Sequence, residues 1–317
     1  MQSFFVTFGR GGTHMKTAVI GIGSNSVRMR LVEITGTQAR RIGREREGTR
    51  LFAGLDASGC LSQEAMALTA QAVQRMAASA RAAGAEEVSL FATSAVRDAA
   101  NAEAFARLLQ DAAQVTLEIC SGEEEAALSF LGVTDGGHCG VVDIGGGSTE
   151  IVVGRGEQIH CAFSCQMGAV RLQRRIPIAS HTDLPLVEAA ADDILCRQLD
   201  RHPTLTIPPR WIGTGGTFTT LAALVRGVRW AECTHHGTVL TLEAVQAQAR
   251  RLSDMPLAER LRLPGLQPHR ADIVVHGMCI LTAVMKRLGL TEIRVSEYGN
   301  TEGYIKRKYG LHEDIAP

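Results

Sequence analysis

Net charge is the first thing this 317-residue chain lacks: 33 lysines and arginines balance 33 aspartates and glutamates, for a formal charge of zero. No global field therefore draws it to nucleic acid or to a membrane surface, and a polyanionic ligand needs a local patch. A run of about 18 apolar residues is also missing, which argues against a membrane-spanning helix. The eight cysteines, Cys60, Cys120, Cys139, Cys161, Cys165, Cys196, Cys233 and Cys279, make no CxxC pair. That pattern points to reduced, mostly buried thiols in a cytoplasmic protein rather than to a disulfide framework or a zinc site. The opening stretch has a short apolar patch at Phe4, Phe5 and Val6, too brief for a signal-peptide core. Residues 1–14 read as an upstream extension or a cloning scar, with the fold starting near Met15.

What is present begins with TAVIGIGSNSVRMRLVEI, Thr17 to Ile34. Ala18 to Ile22 reads as a buried strand, and Val27 to Ile34 alternates as a second strand. Dinucleotide and P-loop sites follow their glycines with a helix. Here a strand follows, so the motif is a glycine-turn hairpin. It occurs twice. CGVVDIGGGSTEIVVGRGE, Cys139 to Glu157, repeats it at an offset of 122, Gly21 aligning with Asp143. Successive backbone N–H groups in such a turn form an anion-binding nest, and Ser24, Asn25 and Ser148 add side-chain donors. The alternative is a pair of ordinary hairpins. Two copies suggest two similar domains facing one cleft, and 45% apolar content suffices for two cores.

Between and after the hairpins, strands and helices alternate, which argues an α/β fold. Helices are expected over Ser62 to Ala83, with Ser62 as N-cap, and over Ala102 to Ala113. Another runs from the capping-box pair Ser121 and Glu124 to about Val133. Asp183 is expected to cap a helix reaching about Arg201, and Arg270 to Leu288 reads as a long amphipathic helix. Strands are expected at Val88–Thr93, Thr116–Ile119, Gln158–Phe163, Arg210–Gly213 and Ile293–Ser296. GTGGTFTTLAAL then opens a helix, and Thr301–Tyr309 closes the chain.

Five motifs now stand in order: IGSNSVR, ATSAVRDAAN (Ala92–Asn101), SGEEEA (Ser121–Ala126), VVDIGGGSTEIVVG and IGTGGT. Together they resemble the exopolyphosphatase / guanosine pentaphosphate phosphohydrolase family, from about Met15 to the C-terminus. The resemblance implies two actin-like, ribonuclease H-like domains of mixed sheet plus helices around an inter-domain cleft. Domain I would span 15–139, closed by a C-terminal helix within 302–317, and domain II 140–301. The length matches the short form, without the C-terminal HD-type helical domain of longer members.

The resemblance also implies roles. Glu125 would be the general base that activates water; the bland alternative is a glutamate that favours a helix N-terminus, a description that fits Glu123 and Glu124. Asp143 and Glu150 would hold Mg²⁺ or Mn²⁺ against phosphate oxygens, although a strand glutamate can also simply face water. Arg97 would contact phosphate, or else pair with Asp98. Ser24, Asn25, Ser26, Gly145, Gly146, Gly147 and Ser148 would cradle the phosphate chain, and Gly213, Gly215 and Gly216 match the nucleoside loop of actin-like kinases. Arg171 can meet phosphate at a helix start. Arg40, Arg41, Arg44, Arg46 and Arg50 can guide a polyanion or form a solvated strand pair.

Two departures stand out. The family normally has aspartate where this chain has Gly21, and arginine is common where it has Thr301. The expected function is hydrolysis of the terminal phosphoanhydride of linear inorganic polyphosphate with Mg²⁺ help. Hydrolysis of pppGpp is the sister alternative, and a silent polyphosphate or nucleotide sensor the alternative from another class. Expected partners are the polyanion and, as in many family members, a second copy of the chain, with no nucleic acid and no membrane.

Overall fold

The structure is a computed structural model that describes residues 14–56, 58–313 and 315–316. The expected extension therefore lies outside the described residues except for His14, which opens the first strand. Among the described residues eleven strands form two sheets. The first contains β1 (His14–Ile22), β2 (Val27–Thr35), β3 (Gln38–Glu47), β4 (Glu87–Ala92) and β5 (Leu117–Ile119), in the order β3-β2-β1-β4-β5. The second contains β6 (His138–Ile144), β7 (Thr149–Arg155), β8 (Gln158–Cys165), β9 (Trp211–Thr214), β10 (Val239–Thr241) and β11 (Glu292–Val295). Its order, from one edge, is β8-β7-β6-β9-β11-β10. With β10 set aside, the two sheets have the same plan: a three-stranded antiparallel meander, then two strands added in parallel through crossovers. The repeat read from two hairpins is thus a repeat of whole sheets, the actin-like arrangement.

The helices follow from local chemistry. α1 (Gln63–Ala82) starts where the Ser62 side chain accepts the Ala65 N–H. The short α2 (Ser94–Arg97) and α3 (Ala102–Ala113) follow β4. α4 (Gly122–Val133) opens with the expected capping box, Ser121 and Glu124 each satisfying the other's backbone N–H. Beyond β8 come α5 (Ala169–Arg175), α6 (Leu184–Leu199), α7 (Gly216–Arg226), α8 (Leu242–Ser253) and the short α9 (Leu257–Arg260). α10 (Val274–Leu288) and α11 (Asn300–Tyr309) complete the set.

Two expectations are corrected here. Asp183 stands at the N-cap of α6 as expected, but its side chain makes no cap bond there: its carboxylate accepts the Ala179 and Ser180 N–H groups and closes a capping box begun by Ser180 one turn earlier. Arg270 ends a separate 3-10 turn, and α10 starts at Val274. Nor is α10 amphipathic in use. Every residue from Val274 to Met285 is buried, because α5, α6, α7 and α8 cover it on several sides.

Alternating strand residues feed opposite faces. Ala18, Ile20 and Ile22 pack with α1 and α3, whereas Val19 faces Leu128 of α4 and Tyr304 and Ile305 of α11. Likewise Val142 and Ile144 join the core under α6, α7, α8 and α10, whereas Val141 and Val152 meet Ala126 and Phe130 of α4. Helix α4 is therefore wedged between the two sheets. Gly132 and Gly303 let α4 and α11 approach until their backbones touch; a methyl group on either would overlap the other helix. That wedge sets the position of Glu125, in its first turn.

Candidate active site

The two glycine turns are built alike. Gly23 N–H donates to the Ser26 carbonyl at 3.1 Å, and Gly145 N–H to the Ser148 carbonyl at 3.0 Å, the same bond displaced by the repeat. The second turn is also held from behind. The N–H groups of Ala169, Val170 and Arg171 donate to the Gly145 and Gly146 carbonyls at 2.9–3.0 Å, and Arg171 Nε reaches the Gly147 carbonyl at 2.7 Å. A methyl on Gly147 would sit 2.6 Å from Ser94 Oγ and 2.9 Å from Ser24 Oγ, so only glycine lets the turns face each other this closely.

Between them lies a narrow cleft. Ser24, Asn25, Ser26, Gly145, Gly146, Gly215 and Gly216 line it, as do Glu125 and Asp143. Gly147, Ser148, Arg97 and Glu150 are not among its lining residues. Gly215 is at φ +94° and Gly216 has the Arg270 guanidinium packed where a side chain would be, so both positions need glycine.

Three carboxylates are buried here, at 5%, 8% and 1% exposure for Glu125, Asp143 and Glu150. Asp143 and Glu150 are direct cross-strand partners. Asp143 Oδ2 accepts from Ser129 Oγ at 2.7 Å, and Glu150 Oε1 from Ser164 Oγ at 2.8 Å. Glu125 Oε2 accepts from Arg97 Nη1 at 3.0 Å, and the same nitrogen holds the Cys120 carbonyl. Burial raises all three above the ordinary carboxylate range. Glu125 rises to about 7, with Arg97 opposing the shift and Asp143 adding to it. Asp143 is restrained by Ser129, Arg28 and Arg270, while Glu150 is pushed further up by the other two acids.

The residues fit a divalent cation. Glu150 Oε2 is buried with no hydrogen-bond partner. Among the described residues no three His, Cys, Asp or Glu side chains form a ready-made metal cage. Two facing carboxylates suit a hard ion that completes its shell with water and phosphate oxygens.

Sequence reasoning missed several residues. Arg28 lies opposite Gly21, in the register that Glu150 holds opposite Asp143; the repeat offset alone would have found it. Arg270, 6% exposed, arrives from far along the chain with no motif to announce it. Phe91 and Thr301 explain the Gly21 departure. A methyl on Gly21 would lie 2.8 Å from Phe91 Cζ and 3.3 Å from Thr301 Oγ1, so ring and hydroxyl occupy the space of an aspartate. Phe91 is itself stacked on Tyr304, with ring centres 4.9 Å apart.

The looser candidates divide. Arg171 is engaged by Gly147 and by Asp98 at 2.5 Å and lies over the Phe52 ring, bracing the turns. Arg97 Nε stands 3.7 Å from Asp98 while its Nη2 has no acceptor. In the basic segment, Arg40 pairs with Glu33 and Arg50 with Asp272, whereas Arg44 and Arg46 line a second cavity.

A cleft between duplicated sheets, walled by two glycine turns and lined by Glu125 and Asp143, is the candidate site. The Ppx/GppA phosphatase family matches residues 31–312, and the chain belongs to that family. It is 33% identical over 313 residues to exopolyphosphatase 2 of Mycobacterium tuberculosis, across 91% of this chain and 97% of that protein. Among solved structures, the Aquifex aeolicus PPX-GPPA enzyme superposes with TM-score 0.77 at 26% identity, covering 92% of this chain and 99% of its own. An exopolyphosphatase from Cytophaga hutchinsonii gives 0.84 at 25% identity, covering 94% and 99%.

Proposed function

We propose that the chain is a cytoplasmic exopolyphosphatase, which hydrolyses the terminal phosphoanhydride of linear polyphosphate and releases orthophosphate. The observation that carries this reading is Glu125. It is a carboxylate raised to about 7, fixed by Arg97 on a wedged helix, at the edge of a cleft walled by two glycine turns. A base works best with a pKa near the working pH.

The terminal phosphate would lie between the turns, bonded to their N–H groups and to Ser24, Asn25 and Ser26. A water beside Glu125 gives its proton to the carboxylate as its oxygen attacks phosphorus. The bridging P–O bond breaks on the far side, and its electron pair leaves on the shortened chain. A divalent cation, Mg²⁺ or Mn²⁺, held by Asp143 and Glu150, supplies charge neutralisation on phosphate oxygens. Arg28 and Arg270 add fixed positive charge, and Arg97 has a free Nη2 for the same anion. The free cysteines suit the reducing cytoplasm. The two sheets support a two-domain division at about Gly140, with α11 returning to the first half.

Phosphate release from medium-length polyphosphate across a Mg²⁺ titration tests the reading. Glu125→Gln is expected to lower kcat by about 10²–10⁴-fold. A variant as active as wild type removes Glu125 from the mechanism, and an inactive wild type at saturating cation removes the hydrolase reading.

A further inference from the structure

Asp143, Glu150 and Ser164 stand side by side on three neighbouring strands, since register sets Asp143 opposite Glu150 and Glu150 opposite Ser164. The spacing of two puts them on the face of the sheet that carries Val141, Val152 and Ala162, which lies against α4. Like charges directly opposite each other destabilise a sheet, so two adjacent carboxylates need anchors. Each has a serine hydroxyl. Ser129 Oγ donates to Asp143 Oδ2 at 2.7 Å, and Ser164 Oγ to Glu150 Oε1 at 2.8 Å. One oxygen of each acid remains. Glu150 Oε2 is buried without a partner, and Asp143 Oδ1 lies toward the cleft loop, 2.7 Å from where a methyl on Gly215 would sit.

Ser129 differs from the rest of this set, because it comes from the helix and not from the sheet. It is fully buried in α4 between Leu128 and Phe130, which pack into the cores on either side. Packing at such a place favours an apolar side chain, and helix formation favours alanine. A serine within a helix can also bond back to the carbonyl four residues earlier. The Ser129 hydroxyl instead donates across the interface to Asp143. Ser129 follows Glu125 by four residues, so the two side chains leave one face of α4 with their Cβ atoms about 5–6 Å apart. The start of the helix is fitted to the same row of strands: a methyl on Gly122 would lie 2.7 Å from Ser164 Cβ. One helix therefore carries the base, supplies one serine anchor and rests on the other.

We propose that Ser129 is a positioning residue for the hydrolysis. Its hydroxyl fixes the Asp143 carboxylate with Oδ1 left for the cation, and from its place one turn beyond Glu125 it sets the spacing of base and cation. The inference rests on the exopolyphosphatase reading, with its cation at Asp143 and Glu150, and deepens it. The interval between the base and the neutralising charge is held by α4 itself and not by the loops of the cleft.

Mn²⁺ binding to substrate-free protein, followed by loss of the free-ion EPR signal, reads the anchor without turnover. Ser129→Ala is expected to weaken that binding by about 10–100-fold, the usual cost of removing the partner of a metal ligand. In phosphate release the half-activating Mg²⁺ concentration should rise by a similar factor, and kcat should stay below that of wild type even at saturating Mg²⁺. The KM for polyphosphate at saturating Mg²⁺ should not change, whereas a general loosening of the cleft would raise it. Ser129→Cys nearly keeps the side-chain volume but replaces the hydroxyl by a weak donor. It should follow the alanine variant and not wild type, which separates a lost bond from lost packing, and it carries the test if alanine does not fold. Wild-type Mn²⁺ affinity in either variant, or a raised KM with an unmoved Mg²⁺ midpoint, overturns the role of Ser129. The two readings fail separately. Mn²⁺ binding that is unchanged by Ser129→Ala, with phosphate still released, sinks the positioning role alone. Binding that is weakened by Ser129→Ala in a protein that releases no phosphate sinks the hydrolase reading and leaves the anchor standing.

Discussion

The two hairpins have the same turn, closed by the same backbone bond, yet opposite chemistry at the strand ends that follow. The first sets Gly21 opposite Arg28, and the second Asp143 opposite Glu150. A duplicated framework thus carries two chemistries: one copy presents a cation and an open backbone, the other a pair of carboxylates, the pair proposed above to hold a metal. Both hairpins pack against α4, the first through Val19 and Val32 on Leu128 and the second through Val141 and Val152 on Ala126 and Phe130. The empty side-chain position at Gly21 is not a void. Phe91 and Thr301 stand where a side chain would go, so an aspartate at this position would need both to move.

The largest expected effect comes from neutralising the acidic copy. Asp143→Asn should lower kcat by about 10²–10³-fold, the usual loss when one preorganised electrostatic group goes. Arg28→Gln should cost roughly 10–10²-fold in kcat/KM, as for a lost hydrogen bond to a charged group. Since Arg28 and Asp143 attract one another, the double variant should lose less than the two separate losses combined. Simple additivity in steady-state kinetics would mean that the hairpins act independently.

Making the first hairpin resemble the second is a subtler test. Gly21→Asp alone should destabilise by about 1–3 kcal/mol through overpacking against Phe91, read as a lower melting temperature. Gly21→Asp/Phe91→Leu should recover part of that loss and shift the half-activating Mg²⁺ concentration downward. An unchanged Mg²⁺ midpoint in the double variant would show that Asp143 and Glu150 suffice.

The smallest effect is on stability against pH. Glu125 keeps its proton up to about 7 in the folded protein and releases it near 4.5 when unfolded. The folded state therefore binds the extra proton between these values, and stability contributed by this group falls as pH rises through that window. Glu125→Gln should thus be more stable than wild type above pH 7, by about 1–3 kcal/mol, and should lose that advantage at pH 4. Activity should move the other way, rising through pH 7 as the base ionises.

Local pattern made much of this legible in the sequence. The strand–turn–strand period, the Ser121–Glu124 capping box and the Ser62 cap are all decided by neighbours within a few residues, and they stand as read. The pairing of Arg28 with Arg46 and of Arg30 with Arg44 was not legible, because it depends on how β2 and β3 register; in sequence Arg40 to Arg50 is merely a basic run. Phe91 and Arg270 reach the cleft by tertiary packing alone. Helix α10 reads as amphipathic in sequence, but its neighbours bury every residue from Val274 to Met285 and leave only its last turn, at Lys286 and Arg287, exposed. The Asp183 carboxylate turns back to the Ala179 and Ser180 N–H groups because Ser180 opens a 3-10 turn there, its own side chain accepting the Thr182 N–H.

Helix α11 has a consequence for biosynthesis. It covers the face of the first sheet that carries Val19, Val32 and Phe91, and it supplies the Glu302 partner of Arg30. A ribosome adding about 5–20 residues per second needs roughly 10–40 s to travel from Ile119 to Asn300. Through that interval the earliest-made sheet is complete in its strands but bare on one side. Its lid is made long after its strands, so of the two halves the one that leaves the ribosome first finishes folding last.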